Sequence, residues 1–205
     1  MKEPIMDIKI ADELLVWAGK QNPGPWIDHS KVVARAARVI ALKCHLEEEK
    51  AYILGLLHDI GRYEGIRDLH HIYAGYKLML EKGYSHIARI CLTHSFQYKN
   101  INAYSGKNDC LKKEIDEIRT ALNDYKYDDY DKLIQLCDSI SMAKGVCLLD
   151  IRLFDVLKRY GKVNKSIMKK WEKIFEIKNY FDSKCGINIY ELFRDEIIEN
   201  IISNW

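Results

Sequence analysis

A histidine and an aspartate, His58 and Asp59, stand side by side at the end of an apolar run that begins at Gly55. The pattern predicts a buried helix that ends near Gly61. Burying an imidazole and a carboxylate without partners costs several kcal/mol, so the fold has to supply partners for both groups. A bound cation would do so, because imidazole nitrogens and carboxylate oxygens are both metal ligands. The alternative is an ordinary helix end in which the dipeptide has arisen by chance.

The rest of the chain reads as helix, with apolar residues recurring at three- and four-residue intervals. No strand and no internal repeat is evident, so we expect an all-α fold. Residues 95–110 lack a clean period and contain turn formers, which is typical of a mobile rim or lid. The predicted helices cover about 6–20, 26–45, 47–62, 70–82, 85–94, 111–123, 129–144, 150–160, 164–179 and 188–203.

Charge and cysteine content exclude several classes of function. The formal charge is +2, with basic and acidic residues interspersed, so no duplex nucleic acid partner and no polybasic membrane patch is expected. No apolar run is long enough to span a membrane, and Met1 to Lys20 lack a signal-peptide core. The six cysteines are scattered without C-x-x-C spacing. We therefore expect a reduced, cytoplasmic protein whose cysteines are mostly small core residues.

Four further residues lie where a cation could gather them with His58 and Asp59. They are His29 early in the second helix, His71 near the start of the fourth, His94 at the end of the fifth, and Asp138 in an apolar helix. Each has a plainer explanation when taken alone. A histidine beside an apolar face is more often a hydrogen-bonded core residue, and backbone or hydroxyl donors could hold a mid-helix aspartate. The order His, His-Asp, His, His, Asp is much harder to explain by chance.

This order resembles the HD superfamily of metal-dependent hydrolases, whose signature is His, His-Asp and Asp. The matching residues are His29, His58, Asp59 and Asp138, and the resemblance spans about 20–150. It implies an all-α HD-domain bundle. We expect one domain over residues 1–205, with C-terminal helices from about 151 onward packed on the core as a wall of the pocket.

Two-metal members of the superfamily add two histidines between the central pair and the last aspartate. His71 begins a His-x-x-x-Gly segment that ends at Gly75, and His94 matches the other position. Ser95 stands where many two-metal relatives carry a further histidine, and the Gly-Tyr-Pro motif of the cyclic-dinucleotide phosphodiesterases is absent. The pattern is closer to small stand-alone relatives, which include bacterial symmetrical diadenosine tetraphosphate hydrolases.

The resemblance implies divalent metal ions, expected to be two, of Fe, Mn, Co, Ni or Zn. Asp59 would bridge them, with His29, His58 and Asp138 on one ion and His71 and His94 on the other. His58 and Asp59 would thereby be the catalytic pair. Two such ions clamp the attacking and leaving oxygens of a displacement, and a metal-bound water ionises near a pKa of about 7.

The expected activity is metal-dependent hydrolysis of a nucleotide or another small phosphoester through a metal-activated water. Arg62 and Lys144 are candidate contacts for the substrate phosphate, although either could equally be a solvated helix end. Two alternatives remain. Some HD-fold proteins with the same ligand order are mixed-valent di-iron oxygenases, and others could be non-catalytic nucleotide-binding modules. His45, His70 and His86 fall outside the family frame.

Overall fold

The computed structural model describes residues 6–161 and 163–203, and within these the all-α prediction is confirmed. The helices bury faces that the sequence predicts: Val33, Ala36, Ala37 and Ile40 of the second helix are fully buried. The described α-helices are α1 (Ile8–Gln21), α2 (Trp26–Lys43), α3 (Glu48–Leu57), α4 (His70–Glu81), α5 (Ser85–Thr93), α6 (Lys112–Asp124), α7 (Asp129–Ser139), α8 (Leu149–Tyr160), α9 (Lys165–Cys185) and α10 (Arg194–Ser203).

The core forms where α2 packs along α3 and both contact α7. Small residues allow this close approach. A Cβ atom added at Gly55 would lie 2.8 Å from the Ala34 Cα atom of α2, below the distance of ordinary contacts. Because Gly55 and Ala34 carry almost no side chain there, the two backbones come together just before α3 reaches His58.

The helix predicted over about 47–62 is shorter than expected. It ends at Leu57, and a 3₁₀ turn follows over Ile60–Glu64. The backbone leaves the helical region at Asp59, where φ is −104° and ψ is 14°. Apolar periodicity continues through the 3₁₀ turn, which explains why the sequence alone does not separate the two elements.

The helix predicted over about 129–144 also ends early, at Ser139. A small antiparallel hairpin follows, which the sequence did not reveal, and it pairs Ser141–Met142 (β1) with Gly145–Val146 (β2). Gly145 makes this turn possible, because its φ of 148° lies in a region that side chains disfavour. Asp128 caps the start of α7, accepting hydrogen bonds from the backbone of Tyr130 and Asp131.

The C-terminal helices pack on the core, as predicted. α9 contacts α7 and α2, and α10 contacts β2. α9 runs to Cys185, beyond the predicted end near residue 179, and the last predicted helix divides into a 3₁₀ turn (Ile189–Phe193) and α10. The irregular character predicted for residues 95–110 is confirmed, with one short 3₁₀ turn at Ile101–Ala103.

The prediction of a reduced protein is wrong for one pair of cysteines. Cys44, after the end of α2, forms a disulfide with Cys185 at the end of α9, and their Cα atoms lie 4.8 Å apart. Spacing along the chain gave no sign of it, because the partners are 141 residues apart in sequence. Cys91, Cys137 and Cys147 are free and buried, as expected of core residues.

Among the residues that the structure describes, no helix is long and apolar enough to cross a membrane. Residues 1–5, the start of the segment predicted to lack a signal-peptide core, lie outside the described part of the chain.

Candidate metal centre

His58 and Asp59 occupy the link between α3 and the following 3₁₀ turn, and both are almost fully buried. The His58 Nδ1 atom lies 2.7 Å from the carbonyl oxygen of Gly55, to which it donates a hydrogen bond. Its other nitrogen, Nε2, therefore carries the lone pair and faces the Asp59 carboxylate at 4.0 Å from Oδ2. The helix end thus aims a metal-binding nitrogen and two carboxylate oxygens into the interior.

The structure brings all four other predicted ligands to this pair, each from a different helix. The Nε2 atoms of His71 (α4) and His94 (at the end of α5) lie 3.0 and 3.5 Å from Asp59 Oδ1. The Nε2 atom of His29 (α2) lies 3.0 Å from Asp138 Oδ1 (α7), which is also 3.9 Å from His58 Nε2. Asp59 stands between the two histidine groups.

His58, His71 and His94 share one local arrangement. Each donates its Nδ1–H to the carbonyl oxygen three residues earlier, at Gly55, Asp68 and Cys91 respectively. These bonds fix the tautomer and the ring orientation, and they leave every Nε2 atom turned towards Asp59. The Nε2 atoms of His58 and His71 are buried and make no hydrogen bond. Buried polar atoms without partners need an explanation, and metal coordination supplies one.

The donor atoms also fit a metal by their mutual distances. Three overlapping groups have ligand atoms within 4.8 Å of one another and could hold an ion: His29–His58–Asp59, His58–His94–Asp138 and Asp59–His71–His94. Imidazole and carboxylate together suit first-row transition metals. The donor set therefore fits metal ions of this class, with Asp59 available to two of the three groups.

The protonation states are those that metal binding requires. Burial and the neighbouring His58 lower the pKa of His94 to about 3, and burial lowers the pKa of His29. Burial alone would raise the pKa of Asp59, but the neighbouring Arg62 guanidinium holds it well below its usual value. At neutral pH the imidazoles of His29 and His94 are therefore neutral, and the Asp59 carboxylate is charged.

Arg62 and Lys144, the candidate phosphate contacts, lie in different places. Arg62 lines the cavity beside the cluster, but its Nε atom donates to Asp59 Oδ2. Lys144 does not lie on the helix of Asp138, as the sequence suggested, because α7 ends at Ser139. It lies instead in the exposed turn of the β1–β2 hairpin and is not among the residues that line the cavity. Its predicted helical placement is wrong.

The cavity has a volume of about 590 Å³, and the side chains of five of the six predicted ligands line it. This is within the range of small-molecule sites. Cationic side chains that the sequence reasoning missed also line it: Arg152, Arg159 and Lys170 of α8 and α9. One signal was present, because residues 152 and 159 are seven apart, about two helical turns, and so share a helix face.

A further group of possible ligands, His70, Cys110 and Glu114, lies outside this cluster. His70 places Nε2 2.9 Å from Glu64 and Nδ1 3.3 Å from Glu114, so both of its nitrogens already face carboxylates. These contacts tie the start of α4 to the 3₁₀ turn and to α6.

A family model of the HD domain matches residues 26–143 of the chain. The matched segment covers more than half of the 205-residue chain and includes all six clustered residues. No curated protein and no solved structure matches the chain.

Proposed function

The chain belongs to the HD-domain family, and from that premise we propose that it is a metal-dependent phosphohydrolase acting on a nucleotide or another small phosphoester. One observation carries the proposal. Six histidine and aspartate side chains from four helices and the α3 link cluster beside one cavity, which five of them line, and the buried Nε2 atoms of His58 and His71 have no hydrogen-bond partner.

In this proposal Asp59 would be shared by two divalent ions. His29, His58 and Asp138 would hold one ion with it, and His71 and His94 would hold the other. When bound, such ions supply Lewis acidity, lower the pKa of a coordinated water and offset charge on a phosphate. The carbonyl oxygens of Gly55, Asp68 and Cys91 keep three of the imidazoles oriented for this role.

Other residues of the cavity support an anionic substrate. The Arg62 guanidinium keeps Asp59 ionised, and the charge of Asp59 in turn keeps the pKa of the guanidinium above its usual value. Four cationic side chains line the cavity against three carboxylates, two of which belong to the proposed metal centre: Arg62, Arg152, Arg159 and Lys170 against Asp59, Asp138 and Asp155. Binding of the metal ions would shift this balance further towards positive charge.

The proposal is tested by the Asp59→Ala variant. Because Asp59 belongs to two of the three overlapping groups that could hold an ion, its loss should remove bound metal and lower phosphate release by at least about a hundredfold, the scale of losing a principal electrostatic group. Protein purified without chelator would be measured by elemental analysis and by phosphate release from a phosphoester panel. Asp116→Ala, which removes an exposed aspartate of α6, is the control and should change neither.

The same panel separates the alternatives when it is run with and without oxygen. Phosphate release that is indifferent to oxygen supports the hydrolase. Two iron atoms with turnover only in oxygen would identify a di-iron oxygenase instead. Metal-free Asp59→Ala protein that retains full phosphatase activity would contradict the proposed mechanism.

A further inference from the structure

Two helices that lie outside the family match, α8 and α9, build part of the cavity wall. Arg152, Asp155 and Arg159 are spaced three and four residues apart on α8, so they lie on one face of that helix, and all three line the cavity. Lys170 of α9 lines it as well and is partly buried. The sequence signature of the metal centre does not include any of them.

Asp155 holds the two arginines side by side. Its Oδ2 atom lies 2.9 Å from Arg152 Nη1 and 2.9 Å from Arg159 Nη2. One carboxylate cannot neutralise two guanidinium groups, and each group has four further N–H donors beyond the contact with Asp155. The arrangement fixes the direction of both groups while leaving net positive charge and unused donors at the cavity wall.

The two arginines lie at different depths. The side chain of Arg152 is 16% exposed and that of Arg159 is 48% exposed, so the pair extends from the interior to the mouth. The inner members, Arg152 and Lys170, line the same cavity as the metal-centre residues His29 and Asp138. A ligand at the metal centre would therefore have fixed cations within reach of its other end.

We propose that Arg152, Arg159 and Lys170 form a second anion subsite, which binds another phosphate or a carboxylate of the substrate while the metal centre holds the phosphate to be cleaved. The inference rests on the proposed function for the role of the metal centre. It narrows the substrate class to compact molecules with two separated anionic groups. Guanidinium groups suit this task because their planar donor arrays match phosphate and carboxylate oxygens.

A set of non-hydrolysable probes of matched length tests the subsite by calorimetric titration of the metal-loaded protein. Propylphosphonate carries one anionic group. 1,3-Propanediphosphonate adds a second phosphonate, and 3-phosphonopropionate adds a carboxylate instead. If the subsite exists, at least one bifunctional probe should bind about tenfold or more tightly than propylphosphonate, since a charge-assisted hydrogen bond contributes roughly that much. The probe that gains more identifies the chemistry of the second group.

The chain offers neighbouring residues as controls for the two helices. Arg159→Gln is matched by Lys158→Gln, and Lys170→Gln by Lys169→Gln, because each control removes one positive charge from an exposed residue outside the cavity lining. Arg159→Gln and Lys170→Gln should each reduce the advantage of the bifunctional probe several-fold, while binding of propylphosphonate changes little. The controls should retain the advantage. Arg152→Gln should abolish it, and thermal unfolding would establish that this variant is folded.

Two results would overturn the inference. The wild-type protein could bind all three probes with equal affinity, or Lys158→Gln and Lys169→Gln could lose as much as their partners, which would indicate only long-range charge. The proposed function fails separately, through absence of phosphate release. A bifunctional advantage that depends on Arg152 in a protein without phosphatase activity would support the subsite while contradicting the hydrolase.

Discussion

Close packing against α4 explains why a glycine, Gly61, follows His58 and Asp59 so closely in the sequence. A Cβ atom at this position would overlap the carbonyl oxygen of His71 and the backbone nitrogen of Gly75. The 3₁₀ turn after Asp59 therefore lies directly against α4, and this contact brings His71 Nε2 to 3.0 Å from Asp59 Oδ1. The sequence predicts that Gly61 ends the helix. In the structure, its lack of a side chain also allows His71 and Asp59 to approach each other.

We expect Gly61→Ala to displace α4 from the 3₁₀ turn. The overlap is with backbone, which cannot rotate away, so the free energy of unfolding should fall by about 1–3 kcal/mol or more, and the metal content should fall with it. Gly83→Ala is the control. Its added methyl group meets no atom within 4 Å, so it introduces only the strain of a φ of 80°. Denaturant unfolding and elemental analysis would be measured for both, and a Gly61→Ala protein with wild-type metal content would contradict this role.

His94 gives the metal-free protein a defined response to pH. Its pKa falls from 6.5 to about 3 on folding, so the unfolded chain binds a proton between these values that the folded chain does not. The stabilisation is fully present above pH 6.5 and is lost as the pH falls towards about 3. The depressed pKa of Asp59 acts in the same direction, because its ionised form is the one favoured by folding.

The free energy of unfolding of metal-free protein should therefore decrease steadily from pH 7 towards pH 4. His94→Gln should flatten this dependence, whereas His86→Gln, which removes an exposed imidazole of α5, should leave it unchanged. Urea unfolding at several pH values is the measurement. Parallel curves for the wild-type and His94→Gln proteins would show that His94 is not buried as a neutral imidazole.

Helices were predictable from the sequence in number and approximate position, but several of their ends were not. α4 begins at His70, as its pattern indicates, and α8 lies within a residue of its prediction. The ends of α3 and α7 were placed too late, because apolar periodicity continues while the backbone leaves the helical region at Asp59 and Ile140. That error placed Lys144 on the helix of Asp138, whereas it lies in the turn of the β1–β2 hairpin.

The next prediction concerns α4 and α5, which contribute His71 and His94 to one side of Asp59. If two ions bind, replacing both histidines with alanine should leave one ion per chain and lower turnover by orders of magnitude. The matched control is His70→Ala with His86→Ala, which removes one histidine from each of the same two helices outside the cluster. Elemental analysis gives the stoichiometry. Unchanged metal content in the His71 and His94 variant would assign these histidines a structural role.

At the scale of the whole molecule, the sequence reveals the residues of the metal centre but not the contacts between segments that are far apart in the chain. The six clustered residues were found by their order along the chain, since a family signature is a one-dimensional pattern. The Cys44–Cys185 disulfide and the cavity wall formed by Arg152, Arg159 and Lys170 depend on how α8 and α9 lie against the HD-domain segment. No short-range periodicity specifies that packing, so these features needed the structure.

The central claim is that one metal centre is formed by residues from α2, the α3 link, α4, α5 and α7. Anomalous diffraction from crystals of the metal-loaded protein, collected at the absorption edge of the metal found by elemental analysis, tests it most directly. Anomalous density is expected beside Asp59, with the Nε2 atom of His58 about 2.0–2.2 Å away. Metal-loaded crystals whose anomalous density lies elsewhere, with no peak within bonding distance of Asp59, would contradict it.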